Sequence, residues 1–123
     1  MPYKKDLGQV GEKKARKYLV DNGYTILKNN FTCKLGEIDI IAEKEEYIIF
    51  IEVKTRTNVN YGFPIESISF KKRKSIIKSA KVFLLQKKLT DSAVRFDVIE
   101  VLTGSEKESS ININHIMNAF WEE

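Results

Sequence analysis

Four charged residues stand inside two β-branched runs where a sheet interior should hold none: Glu37 and Asp39 in 37–42, and Glu52 and Lys54 in 47–54. The runs flank a short charged bend and together read as a β-hairpin. Alternation places Glu37, Asp39 and Ile41 on one face and Ile38 and Ile40 on the other. On the second strand Ile48, Phe50, Glu52 and Lys54 share a face, with Ile49, Ile51 and Val53 opposite. A two-residue loop at Glu45-Glu46 sets Asp39 across from Glu52. A loop at Lys44-Glu45 sets Glu37 across from Glu52, with Asp39 one diagonal away. An odd loop separates Asp39 and Glu52 onto opposite faces unless a bulge intervenes. Both even registers bring two carboxylates to roughly 5–8 Å. At an effective dielectric of about 20, such charges ~5 Å apart repel by ~3 kcal/mol. A divalent cation offsets that repulsion, and Lys54 on the same face helps. Carboxylate oxygens suit Mg²⁺, with Mn²⁺ as a substitute. A metal so held polarises a phosphoryl oxygen and lowers the pKa of bound water, while a lysine steadies developing charge. The chemistry these residue types allow is metal-assisted phosphodiester cleavage.

Asp39, then twelve residues, then Glu52-Val53-Lys54 resembles the D…(D/E)-x-K signature of restriction-endonuclease-like nucleases. That superfamily includes the archaeal Holliday junction resolvases. Ile38 stands where the signature has proline. More closely, Gly36-Glu-Ile-Asp-Ile-Ile-Ala42 with Phe50-Ile-Glu-Val-Lys-Thr-Arg56 resembles the uncharacterised bacterial YraN-like family. The likeness extends from Gly11-Glu12 to about Phe120. The resemblance implies a restriction-endonuclease-like fold and a DNA substrate, branched or otherwise structured. It implies Asp39 and Glu52 as Mg²⁺ ligands, the Val53 carbonyl as a further ligand, and Lys54 as a catalytic residue. A second copy of the chain, in a homodimer, is an admitted partner. Glu12 has two readings. It lies on the shoulder of the first helix's apolar face, where Arg16 is its i+4 neighbour. Alternatively it reaches the carboxylates as an additional, outer-sphere ligand, since related resolvase-type nucleases bring a glutamate from this helix to the site.

At 123 residues the chain is expected to form one domain, 1–123, with a real core. A composition of 42% hydrophobic and 31% charged residues excludes a disordered chain. The net charge of +4 and a pI near 9.1 favour nucleic acid as a partner. Cys33 is the only cysteine, so an internal disulfide and a cysteine-rich zinc site are excluded, and a reducing cytoplasm fits. His115 is the only histidine and is expected to pack rather than react. Residues 1–6 lack the apolar stretch of a secretory signal. The longest apolar run, Tyr47–Ile51, is too short to cross a bilayer, so no membrane partner is expected.

These residues need elements to position them. A helix over 6–22 is expected, with Asp6 as N-cap, Gly23 as stop, and Leu7, Val10, Ala15, Tyr18, Leu19 and Asn22 on one side. A strand over 24–28 should bend at Asn29-Asn30, with 31–35 running on into the second strand. Gly36 suits a bulge or a close backbone approach. After a loop at 58–64, a helix over 69–88 is expected, capped by Ser69 or Ser67. Its buried stripe is Ile76, Ile77, Ala80, Phe83 and Leu84. Lys71, Lys74, Lys78 and Lys81 form a neighbouring stripe with no acidic residue between 70 and 88. Lys71, Lys74 and Lys78, with Arg56, are expected to grip phosphates; the bland alternative is a solvated face. A strand over 94–102 carries Asp97, a structural partner for Arg95 or for a basic residue elsewhere, and a polar turn at 104–110 leads to an edge strand at 111–116. Residues 119–121 should dock the tail. The order α-β-β-β-α-β-β gives an α/β (α+β) architecture, a mixed central sheet flanked by helices. Two rivals stand beside the nuclease: a non-catalytic nucleic-acid-binding module of the same fold, and an interaction protein whose charged cluster is a buried salt-bridge network.

Overall fold

Two apolar stripes, one on each helix, need opposite faces of one sheet, and the hairpin alternation supplies both. The computed structural model describes residues 4–56, 68–103 and 111–122. The elements are α1 (Lys4–Asp21), β1 (Thr25–Cys33), β2 (Gly36–Lys44), β3 (Tyr47–Arg56), α2 (Phe70–Gln86), β4 (Ala93–Thr103) and β5 (Ile111–Phe120), in the expected order. The strands form one five-stranded sheet in the order β1-β2-β3-β4-β5. Neighbours are antiparallel except β3 and β4, which run parallel because α2 is the crossover between them. The central strand β3 is apolar on both faces from Ile48 to Ile51. Ile48 and Phe50 pack with Ile76, Ala80, Phe83 and Leu84 of α2. Ile49 and Ile51 pack with Ala15 and Leu19 of α1. Phe96 stacks between Phe50 and Phe120, with ring centres 5.5 and 5.3 Å apart.

The β2–β3 hairpin closes at Lys44–Tyr47 around Glu45-Glu46, the first of the two even registers. Both loop residues have left-handed φ, 51° and 73°, which matches the strand twist as a type I′ turn does. Strict alternation along β2 does not hold. Ile38 and Ile41 lie in the α2-side core, whereas Ile40 and Ala42 lie in the α1-side core. The phase changes around Asp39, where the ladder to β3 has ended at Ile40–Ile51 and Asn30, between the paired positions of β1, has φ 53°.

Other boundaries moved for physical reasons. β1 runs unbroken to Cys33, because a bulge between Ile26 and Lys28 and left-handed Asn30 absorb the expected bend. The chain turns instead at Lys34-Leu35. α1 starts before Asp6, which is therefore not its N-cap. Its buried row is Gly11, Ala15 and Leu19, one row over from Val10, which is 38% exposed. Gly11 is required there, since an added Cβ would fall 1.8 Å from Thr55 Oγ1. Gly36 provides the matching approach for α2: a Cβ would lie 2.1 Å from Ser75 Oγ. Ser75 also donates to the Leu35 carbonyl at 2.8 Å. Ser69 caps α2 by accepting from the Lys72 amide at 3.1 Å. β5 extends to Phe120, which is buried, but Trp121 remains exposed. The loop at 58–64, the turn at 104–110 and Ser67 lie outside the described residues. Among the described residues, no helix is long and apolar enough to cross a membrane.

One end of α1 is clamped to the sheet by a buried polar network. Asp97 is fully buried and accepts hydrogen bonds from Arg95 Nε and Nη2 at 2.9 Å, Arg95 being one of the expected partners, and from the Asn118 amide at 2.9 Å. His115 Nε2 lies 2.7 Å from Asp97 Oδ2, and its Nδ1 lies 2.9 Å from the Tyr18 hydroxyl of α1. Burial alone would raise the Asp97 carboxyl, but hydrogen bonds from His115, Arg95 and the Asn118 amide hold it below its usual range. Asp97→Ala should therefore lower the unfolding free energy by about 3–5 kcal/mol, measured by urea denaturation, because it strands the partners of a buried charge.

Candidate functional site

The chain brings its two central carboxylates together where β2 parts from β3. Beyond the Ile40–Ile51 pair, the Val53 amide donates to Asp39 Oδ2 at 2.8 Å. That bond orients Asp39 beside Glu52. Glu52 is buried, on the α2 side of β3. Burial, then the charge on Asp39, push its carboxyl up to about 7. Lys72 and Lys54 oppose that rise, and Lys72 pulls harder. Lys54 Nζ stands 3.6 Å from Glu52 Oε2, with its side chain 32% exposed.

Glu12 arrives from α1, set against the end of β3 by the Gly11–Thr55 approach. Burial raises its carboxyl above the ordinary value, the Asp39 charge raises it further, Arg16 opposes, and Glu37 adds to the rise. Both expected neighbours of Glu12, Arg16 and Asp39, thus act on it. Among the described residues no three His, Cys, Asp or Glu side chains form a ready-made metal cluster. The core of the site is a carboxylate pair, with Glu12 further out.

Two of its residues escaped sequence reasoning. Lys72 sits four residues before buried Ile76, in the apolar row of α2, and a lysine in that row was the available signal. Glu100 is buried on β4 directly beside Lys54 in the parallel register. A glutamate among Phe96, Val98 and Val101 was its signal. Arg56 pairs with Glu100 at 2.7 Å, so the structure commits its guanidinium to the sheet. Lys71, Lys74 and Lys78 are exposed as expected, but Lys81 is paired with Glu122 from the far end of the chain. Cys33 is partly buried against the α2-side core.

Residues 11–101 match the family described as Uncharacterised protein family UPF0102. The chain belongs to this family. A UPF0102 protein of Caldanaerobacter subterraneus subsp. tengcongensis is 49% identical over 117 residues, covering 95% of this chain and 96% of its own. One from Clostridioides difficile is 50% identical over 116 residues, covering 94% and 97%. One from Clostridium acetobutylicum is 45% identical over 116 residues, covering 94% of each. The family match spans Glu12, Asp39, Glu52, Lys54, Lys72 and Glu100, so the whole site lies inside the UPF0102 region.

The raised Glu52 carboxyl gives this UPF0102 chain a pH signature. The folded state holds a proton on Glu52 up to about pH 7, whereas the unfolded chain releases it near 4.5. Stability therefore falls as pH rises through that window, by up to about 3 kcal/mol without metal. Glu52→Gln removes the titration. In chelator, wild type should lose more unfolding free energy than the variant between pH 5 and pH 8, read by urea denaturation at each pH.

Proposed function

We propose that this chain is a Mg²⁺-dependent endonuclease that hydrolyses DNA phosphodiester bonds, with branched or otherwise structured DNA as substrate. One observation carries the reading: two carboxylates meet in a protected place with too little positive charge to satisfy them. The molecule contains its own comparison. Asp97, a structural carboxylate, is met by Arg95, His115 and a backbone amide, and its carboxyl is pulled down. Glu52 meets another carboxylate, keeps lysine at 3.6 Å, and is pushed up. A buried salt-bridge network would resemble the first arrangement. The second is the donor set of a site that expects a hard cation.

The residues fit that cation. Asp39 and Glu52 would hold it, with the Val53 carbonyl and Glu12 in support. Mg²⁺ supplies there Lewis-acid polarisation of a phosphoryl oxygen and a lowered pKa for water. The Val53 amide fixes one oxygen of Asp39 and leaves the other for ligation. Glu52 must give up its proton first, and Lys72 and Lys54 favour that ionisation. Lys54, partly exposed, is placed to stabilise negative charge developing on the phosphoryl oxygens. Lys71, Lys74 and Lys78 grip flanking phosphates, and Arg56 contributes its charge from within the Glu100 pair.

Asp39→Asn should weaken Mn²⁺ binding and abolish cleavage. Lys54→Ala should lose about 10²–10³ in rate while Mn²⁺ binding survives or tightens, because a competing cation is gone. Calorimetric Mn²⁺ titration beside cleavage of linear, flapped and four-way DNA reads both. A wild type that binds no divalent ion and cuts none of these substrates is a binding module instead. Separately, replacing Lys71, Lys74 and Lys78 by alanine should flatten the slope of log affinity against log salt by about two to three units. Fluorescence anisotropy across a salt series in chelator measures it, and an unchanged slope marks a solvated face.

A further inference from the structure

We infer that the groove between α2 and the end of β5 binds unpaired DNA bases, so that a cleaved substrate carries a single-stranded segment. The second clause rests on the nuclease reading, while the first does not. The groove encloses about 480 Å³. Phe70 and Trp121 line it and are 60% and 61% exposed. Side chains that leave so much aromatic surface in water contribute little to the core and offer open ring faces. Lys74, Lys78 and Arg73 stand among them. Lys74 Nζ sits 5.2 Å from the centre of the Phe70 ring, and Arg73 Nε is buried with no hydrogen-bond partner among the described residues. Glu122, the one acid among the described residues of this lining, is already paired with Lys81.

Cations beside exposed rings are the composition that single strands require: phosphates meet the charges and bases stack on the rings. A duplex keeps its bases stacked on one another and out of reach of Phe70 and Trp121. A second copy of this chain would set the same cations against themselves, so charge favours a polyanion. The groove and the carboxylates lie on different sides of the first turn of α2: Phe70 and Lys74 sit two residues either side of Lys72, whose charge acts on Glu52, at an axial offset of roughly 3 Å but about 200° away around the helix. A strand stacked on Phe70 would therefore pass round that turn to bring a phosphodiester to Asp39 and Glu52.

Trp121 is the only tryptophan, so tryptophan fluorescence reports on the edge it forms between this groove and the neighbouring cavity lined by Leu84 and Asn118. The full chain in chelator is titrated with oligodeoxythymidylate, with an abasic oligonucleotide of equal length, and with blunt duplex. The thymidylate should quench Trp121, and the abasic strand and the duplex should not. By anisotropy of labelled thymidylate, Phe70→Ala and Trp121→Ala should each weaken binding roughly 5- to 150-fold. Trp121→Phe should stay within a few-fold of wild type, and duplex affinity should not change in any variant. Equal quenching by the abasic strand overturns the inference, as do alanine variants that bind thymidylate like wild type. Alanine variants that lose only self-association in sedimentation also overturn it, by assigning the groove to a second copy. Because no step needs cleavage, the two readings fail separately. A chain that binds bases here but cuts nothing keeps the groove and loses the nuclease. A chain that cuts duplex with a base-blind groove does the reverse.

Discussion

The contact on which the site depends is repulsive. Asp39 and Glu52 are driven apart by like charge, by up to about 4 kcal/mol at close range and an effective dielectric of 20. The fold holds them together with backbone. The hairpin register delivers the two side chains to one place, and the Val53 amide takes one Asp39 oxygen at 2.8 Å. What geometry cannot cancel, protonation does. Glu52 keeps a proton to about 7. Lys72 and Lys54 set where that proton leaves without neutralising the pair.

The sheet admits an aspartate twice, by the same means. Asp39 and Asp97 both sit where a ladder is interrupted, and each accepts a backbone amide released by the interruption, Val53 or Asn118. Each interruption is accompanied by an asparagine with left-handed φ, Asn30 at 53° and Asn118 at 52°. Surroundings then separate the two. Around Asp97 the remaining acceptor capacity is met by Arg95 and His115, and the result is a clamp. Around Asp39 the neighbour is another acid. The clamp serves the pair at a distance, since His115 holds Tyr18 near the C-terminal end of α1 while Gly11 seats Glu12 at the middle of the helix. Gly36 does the same for α2, whose first turn carries Lys72.

Much of this was legible in the residues themselves. Period-two alternation sorted the residues of β3 onto two faces that both carry apolar side chains, and the Glu45-Glu46 loop was one of two even registers that juxtapose carboxylates. Ser69 read as one of two candidate caps, Arg95 as one candidate partner of Asp97, and the element order followed from periodicity. These signals are local: strand alternation and helix periodicity repeat within a few residues, and a hydroxyl caps an amide three positions away.

What tertiary structure alone decided concerns pairs distant in sequence. Lys81 meets Glu122, Tyr18 meets His115, and Arg56 and Lys54 meet Glu100, across separations that no window covers. The phase change at Asp39 was hidden too, because it comes from how β1 and β3 pair with β2 rather than from residues in β2. The sequence by itself determined which carboxylates and lysines belong to the central hairpin, since side-chain direction along a strand is a backbone property. Only the tertiary structure decided which of them are protonated, paired or exposed, since burial and the approach of distant charges set those energies.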